Sequence, residues 1–297
     1  MERLKAKDFD QRLLDLYDGY AHGTVNRREF LNQAGKYAAS GVTAAALLEM
    51  LSPKYALAQQ VDPKDPAIKT EYTTYASPKG HNSIRAYVAK PANAAAKIPG
   101  VLVVHENRGL NPYIEDVARR LAKAGFVALA PDGLTPLGGY PGNDEKGVEM
   151  QRSLDPGKLR EDFFAAFEAL KARSDVNGKL GVTGFCYGGG IANAVATRFP
   201  EMAAAAPYYG VQPSKEEAMK IKGALMAHYA GLDTKITEGW PAYEAALKEA
   251  KVEHTSYIYP NVNHGFHNDT TPRYDADADA AKLSWDRTIA FFKAKLA

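Results

Sequence analysis

The chain has 297 residues, 45% of them hydrophobic and 24% charged, with a formal net charge of +2. That length can bury a large core, as one big α/β domain or two small ones, and the near balance of charge leaves no global field for nucleic acid or anionic lipid. A single cysteine, Cys186, excludes an intrachain disulfide, and no CxxC or Cys/His cluster in the sequence suggests a zinc site.

Residues 1–20 are charged, with Leu13, Leu14, Leu16 and Tyr17 at roughly helical spacing. Arg27 and Arg28 then precede Phe30 and Leu31. The uncharged stretch Tyr37 to Leu48 is too short to span a bilayer. An A-x-A pattern ends at Ala58. In this order the three features resemble a twin-arginine export signal, which would place the protein in the periplasm. Glu49 at the end of the apolar stretch and the long lead segment fit a second reading. In it, residues 1–58 are a retained helical arm on a cytoplasmic protein, packed on the body or on another copy of the chain. Residues 59–69 read as a linker.

From residue 70 to 297 the pattern alternates strand and helix. "EYTTYAS" and "SIRAYVAK" are short strands joined by a turn at "PKGHN". "PGVLVVHE" is a continuous apolar run that ends in polar residues, as a buried parallel strand does. "PYIEDVARRLAKAG" carries Ile114, Val117, Ala118, Leu121 and Ala122 on one helical face. "FVALAPD" is a strand and "GLTPLGGYPGND" a surface loop. "LREDFFAAFEALKAR" is a helix, followed by strand "KLGVTGF", helix "GGIANAVATRF" and strand "AAAAPYYG". "GALMAHYAGLD" is a strand with a polar end, "TEGWPAYEAALKEA" a helix, "EHTSYIYP" a strand and "DADADAAKLSWDRTIAFFKAKL" a terminal helix. Such alternation predicts one α/β domain with a mostly parallel sheet covered by helices on both faces.

Reactive groups in such a sheet collect at the carboxyl ends of strands. Cys186 sits in Gly184-Phe185-Cys186-Tyr187-Gly188, between a predicted strand and a predicted helix. This matches a nucleophile elbow with Cys in place of Ser. A helix N-terminus there favours thiolate. The bland alternative is a buried structural cysteine. Asp233 follows a late strand, either as the acid of a triad or as a helix cap. His264 and His267 compete on the loop after the last strand, and His264 is favoured because it lies nearer the strand. That loop suggests no third ligand for a metal held by the two histidines, so no metal is expected. The order Cys186, Asp233, His264 is the nucleophile–acid–histidine order of α/β hydrolases. Glu106 follows the early apolar strand, as a solvated acid paired with Arg108 or as part of the site. In that fold the backbone N–H groups of Asn107 and Tyr187 would form the oxyanion hole.

Cys186 in "GFCYGGG", Asp233, His264 in "HGF" and Glu106 in "HENRGLN" together resemble the dienelactone hydrolase (carboxymethylenebutenolidase) family, over residues 70–297. The resemblance implies an α/β-hydrolase fold, a Cys–His–Asp triad, a thioacyl intermediate on an ester or lactone substrate, and no cofactor. It also implies that Glu106 partners the resting thiol and is displaced by substrate. The family's type member has an Arg shortly after H-x-F, where this chain has Asn268 in "HGFHND". Arg108 and Arg273 are the candidates for a substrate carboxylate, and Tyr140, Tyr187, Tyr208 and Tyr209 for an aromatic pocket. Two other functional readings remain: a non-catalytic binding or assembly protein using the arm, and a single-cysteine redox sensor.

Overall fold

The computed structural model describes residues 4–38, 41–57, 59–94, 96–272 and 279–297. Three helices open the chain: α1 (Gln11–Ala21), α2 (Arg27–Ala34) and α3 (Ala44–Leu51). The body follows as β1 (Ile68–Ser77), β2 (Asn82–Pro91), β3 (Ile98–Val104), α4 (Pro112–Lys123), β4 (Val127–Pro131), α5 (Asp144–Ser153), α6 (Pro156–Lys171) and β5 (Val176–Phe185). It continues with α7 (Tyr187–Arg198), β6 (Ala204–Tyr208), α8 (Lys215–Ala218), β7 (Ala224–Ala230), α9 (Thr234–Thr237), α10 (Trp240–Glu249), β8 (His254–Tyr259) and α11 (Asp279–Lys295).

The eight strands form one sheet in the order β1-β2-β4-β3-β5-β6-β7-β8. β1 and β2 pair antiparallel, as do β2 and β4, and the remaining neighbours are parallel. Alternation within a strand feeds two cores. On β3, Leu102 and Val104 pack with Phe163 of α6 and Ile191 of α7. Val101 and Val103 face the other way, toward Ile114 of α4 and Phe292 of α11. Both faces are therefore buried, which explains why β3 reads as an unbroken apolar run. The sequence pattern does not predict helix α5, because "DEKGVEMQRS" lacks a clear apolar stripe. Asn143 caps it by accepting from Lys146 N, and Asp144 and Glu145 sit favourably in its first turn.

The opening helices build an apolar cluster of their own, from Leu13, Leu14, Tyr17, Phe30, Leu47, Leu48 and Leu51 among others. Arg27 and Arg28 are exposed in the first turn of α2, where Arg27 lies 3.9 Å from Glu145 of α5. Polar contacts fix α1 to the body. Gln11 Nε2 donates to Asn263 Oδ1 at 2.6 Å, Asn107 Nδ2 to Ala21 O at 3.0 Å, and Arg152 Nη2 to His22 O at 3.0 Å. No described helix is long and apolar enough to cross a membrane.

Candidate active site

The β5–α7 junction places the cysteine. Cys186 has φ 56° and ψ −116°, a backbone conformation that L-residues rarely adopt and that costs of order 1–3 kcal/mol. Its N–H donates to Tyr208 O at 3.1 Å, which ties the turn to β6. The flanking glycines let backbones touch. A Cβ on Gly184 would lie 2.1 Å from Gly188 O, and one on Gly188 would lie 2.3 Å from Val104 O and 2.6 Å from His105 O. Gly188→Ala is therefore expected to cost about 3 kcal/mol by backbone overpacking. Calorimetry should show a fall in Tm of roughly 6–12 °C. An unchanged Tm would mean that the elbow can open without β3.

The acid and the histidine come from neighbouring strand ends. Asp233 follows β7 and precedes α9, yet its side chain makes no capping hydrogen bond. Its Oδ2 lies instead 2.5 Å from His264 Nδ1. His264 sits in the loop after β8, and that loop is joined to the β7 end by Leu232 N donating to Val262 O at 3.1 Å. His267 turns inward, with Nδ1 2.6 Å from Tyr113 Oη and its ring stacked on Phe185, and burial pushes its pKa well below the ordinary value. Packing separates the two histidines: His264 meets Asp233, and His267 lies in the core.

A residue that the sequence did not single out completes the site. His22, just after α1, brings Nε2 to 3.2 Å from Cys186 Sγ and 3.3 Å from His264 Nε2. Its Nδ1 is 2.8 Å from Asp18 O and 3.2 Å from Asp18 Oδ2. The donor atoms of His22, Cys186 and His264 all lie within 4.8 Å of one another. Burial raises the Cys186 pKa, but the charges of His22 and His264 outweigh it and bring the thiol down to about 6. Burial lowers His264, yet the Cys186 charge and the Asp233 hydrogen bond raise it to about 9. His22 is likewise raised well above its ordinary value, against burial, by Cys186 and Asp18. Only the pairing of α1's C-terminus with Asn107 and Arg152 could have revealed His22, and no local motif encodes that docking.

Glu106 is buried, but its partners differ from those the resemblance implies. Its Oε2 accepts from Asn268 Nδ2 at 2.9 Å and lies 3.7 Å from Arg108 Nε. Among the described residues it makes no hydrogen bond to Cys186, and the two imidazoles occupy that position instead. Arg108 is itself buried and donates to Asp144 Oδ2 at 3.0 Å. Tyr140 donates to the same carboxylate at 2.7 Å. Neither lines the cavity at Cys186, because Asp144 holds both. Arg273 lies outside the described residues. That cavity, of about 460 Å³, is lined by Cys186, His22, His264, Asn107, Tyr187, and apolar Ile191, Val211 and Ile236, with Tyr209. Tyr208 is buried in the core, its hydroxyl 2.7 Å from Thr288 Oγ1.

The comparison with known proteins bears on this geometry. The profile of the dienelactone hydrolase family matches residues 84–296. The chain belongs to the dienelactone hydrolase family. A second profile, YqhI-like, matches residues 1–38, the segment that carries His22. The hydrolase fragment YghX of Escherichia coli K12 is 64% identical over 115 residues, which are 39% of this chain and 98% of that protein. A Saccharolobus solfataricus protein that carries the name carboxymethylenebutenolidase is 31% identical over 246 residues, covering 71% of this chain and 93% of its own length. A crystal structure from Klebsiella pneumoniae, named as a dienelactone hydrolase, superposes with TM-score 0.65 at 25% identity, covering 76% of this chain and 99% of that one. As a dienelactone hydrolase family member with the α/β-hydrolase fold, this protein is a hydrolase acting on ester or lactone bonds in small molecules.

Proposed function

We propose that the protein cleaves a carboxylic ester or lactone through a Cys186–His264–Asp233 triad and a thioacyl-enzyme intermediate. One observation supports this above the others: Asp233 Oδ2, not used as a cap, lies 2.5 Å from His264 Nδ1. That contact commits the Nδ1 proton and turns the Nε2 lone pair toward the sulfur at the elbow. His264 Nε2 takes the thiol proton, and the sulfur electron pair forms a bond to the substrate carbonyl carbon. The oxyanion sits at the backbone N–H groups of Asn107 and Tyr187, the first residue of α7, where the helix dipole assists. Collapse of the adduct breaks the carbon–oxygen bond, and His264 returns its proton to the leaving oxygen. In a lactone that oxygen stays tethered to the acyl chain. Water, deprotonated by His264, then attacks the thioester and releases the acid and the thiol.

The apolar wall of Ile191, Val211 and Ile236 suits a small acyl group of low polarity. A rapid-quench intact-mass experiment with p-nitrophenyl acetate tests the scheme. An acetyl adduct on Cys186, formed in a burst and lost on turnover, is expected. Hydrolysis with no adduct and no burst would place the chemistry elsewhere.

Glu106 gives a second test. Arg108 and Asn268 hold its carboxylate, so it would reach the thiol only after those contacts open. Glu106→Gln is expected to leave the iodoacetamide rate of resting Cys186 within about twofold, equivalent to about 0.3 pKa unit. A larger change would show that the carboxylate controls the resting thiol directly, as the family resemblance implies.

A further inference from the structure

We propose that Cys186, His264 and the arm's His22 form a three-ligand site for a thiophilic divalent transition metal, zinc above all, with the fourth position open to the cavity. The argument begins with protons. His22 Nδ1 is 2.8 Å from a main-chain carbonyl oxygen, that of Asp18, so Nδ1 carries a hydrogen and only Nε2 can be a metal ligand. His264 Nδ1 faces the Asp233 carboxylate at 2.5 Å, and the same assignment follows. With both Nδ1 atoms committed, the two Nε2 atoms face each other across 3.3 Å, and His22 Nε2 faces the sulfur at 3.2 Å. A triad needs only one imidazole there. At 3.3 Å the two Nε2 atoms meet N–H to N–H when both rings are protonated and lone pair to lone pair when both are neutral, so the bare cluster sets like against like in either state.

A tetrahedral cation satisfies all three acceptors at once. With zinc–nitrogen bonds of about 2.0–2.1 Å and a zinc–sulfur bond of about 2.3 Å, neighbouring ligand atoms lie about 3.3 Å (N–N) and about 3.5 Å (N–S) apart. The N–N separation of 3.3 Å meets the first value, the His22 N–S separation of 3.2 Å falls a few tenths short of the second, and the third pair, Cys186 Sγ with His264 Nε2, lies within 4.8 Å. Each histidine also has the outer partner that metal-bound imidazoles use: Asp233 for His264 and the Asp18 carbonyl for His22. One thiolate and two imidazoles suit zinc better than magnesium or calcium. No third ligand was visible for a metal on the His264 loop because it comes from the opposite end of the chain. Binding involves no redox change. The metal forms bonds to sulfur and to both Nε2 atoms, and the protons held by the sulfur and the Nε2 atoms leave to solvent. Because the metal takes up both the nucleophile and its base, its binding reversibly blocks the hydrolysis proposed above. That block rests on the triad reading, whereas binding itself does not.

The test uses the full chain, stripped with a chelator and titrated with cobalt(II). Wild type is expected to show a near-ultraviolet sulfur-to-cobalt charge-transfer band and intense four-coordinate visible bands. His22→Ala should weaken cobalt binding by more than about 100-fold, since loss of even an outer partner costs about 10–100-fold. Far-ultraviolet circular dichroism shows whether that variant stays folded. Should it unfold, zinc protection of wild-type Cys186 from iodoacetamide, following the same concentration dependence as the cobalt signal, carries the proposal. Absence of the thiolate–cobalt band in wild type overturns it, and so does undiminished affinity in a folded His22→Ala. Cobalt bands in a protein inactive on esters would instead fault the triad and leave the metal site standing.

Discussion

Cys186→Ala is expected to reduce turnover of short aryl esters by about 10⁶-fold, the scale seen when a nucleophile acts as one unit with its base and acid. Three features make the loss so large. The elbow spends backbone strain at φ 56° to hold this one side chain above the sheet. Among the described residues, the cavity at the elbow is lined by no other thiol and no serine, and the chain has no second cysteine. The imidazoles also bring the thiol to about 6 against burial, so much of it is thiolate near neutral pH. Cys186→Ser sharpens the result. Its shape is similar, but a hydroxyl does not ionise near neutral pH, so a loss approaching that of alanine is expected. Initial rates with p-nitrophenyl acetate and a lactone panel measure both variants. Full activity in either would remove the sulfur from the chemistry.

Asp233→Asn should lower kcat by about 10⁴-fold while the fold is retained. The amide has almost the same volume, but its NH₂ end can donate to His264 Nδ1 where the carboxylate could only accept. The imidazole then carries its hydrogen on Nε2 and can no longer receive one from Cys186. The substitution also removes a cause that raises His264, so the imidazolium formed in the reaction loses its stabilisation. The effect belongs in kcat, because Asp233 does not line the cavity where substrate would sit. A fall of less than about tenfold would mean that another group orients His264, and the absent capping bond at α9 would then need a different account.

Most of the body was legible from local pattern. Unbroken apolar runs marked β3 and β4 because both their faces are buried, and Gly184 and Gly188 marked the elbow because a Cβ at either would collide with backbone. The reading of Glu106 went less far. Its position after β3 was visible, but its burial between Arg108 and Asn268 depends on loops some 160 residues apart in sequence. The family resemblance makes Arg108 a candidate for a substrate carboxylate, and aromatic character makes Tyr140 one for the pocket, but the carboxylate of Asp144 binds both. Helix α5, which carries Asp144, had no periodic stripe to reveal it.

By itself, then, the sequence determined the strand–helix alternation, the glycine-framed cysteine and the placing of Cys186, Asp233 and His264 in that order after strands, because each is written in neighbouring residues. Only the tertiary structure decided which histidine faces Asp233, what holds Glu106, and that residue 22 stands against residue 186. The physical reason is common to all three. These pairings are made by side chains from distant segments whose positions follow from helix docking and loop packing. The docking of α1 through Gln11, Asn107 and Arg152 is what brings a second imidazole to the sulfur.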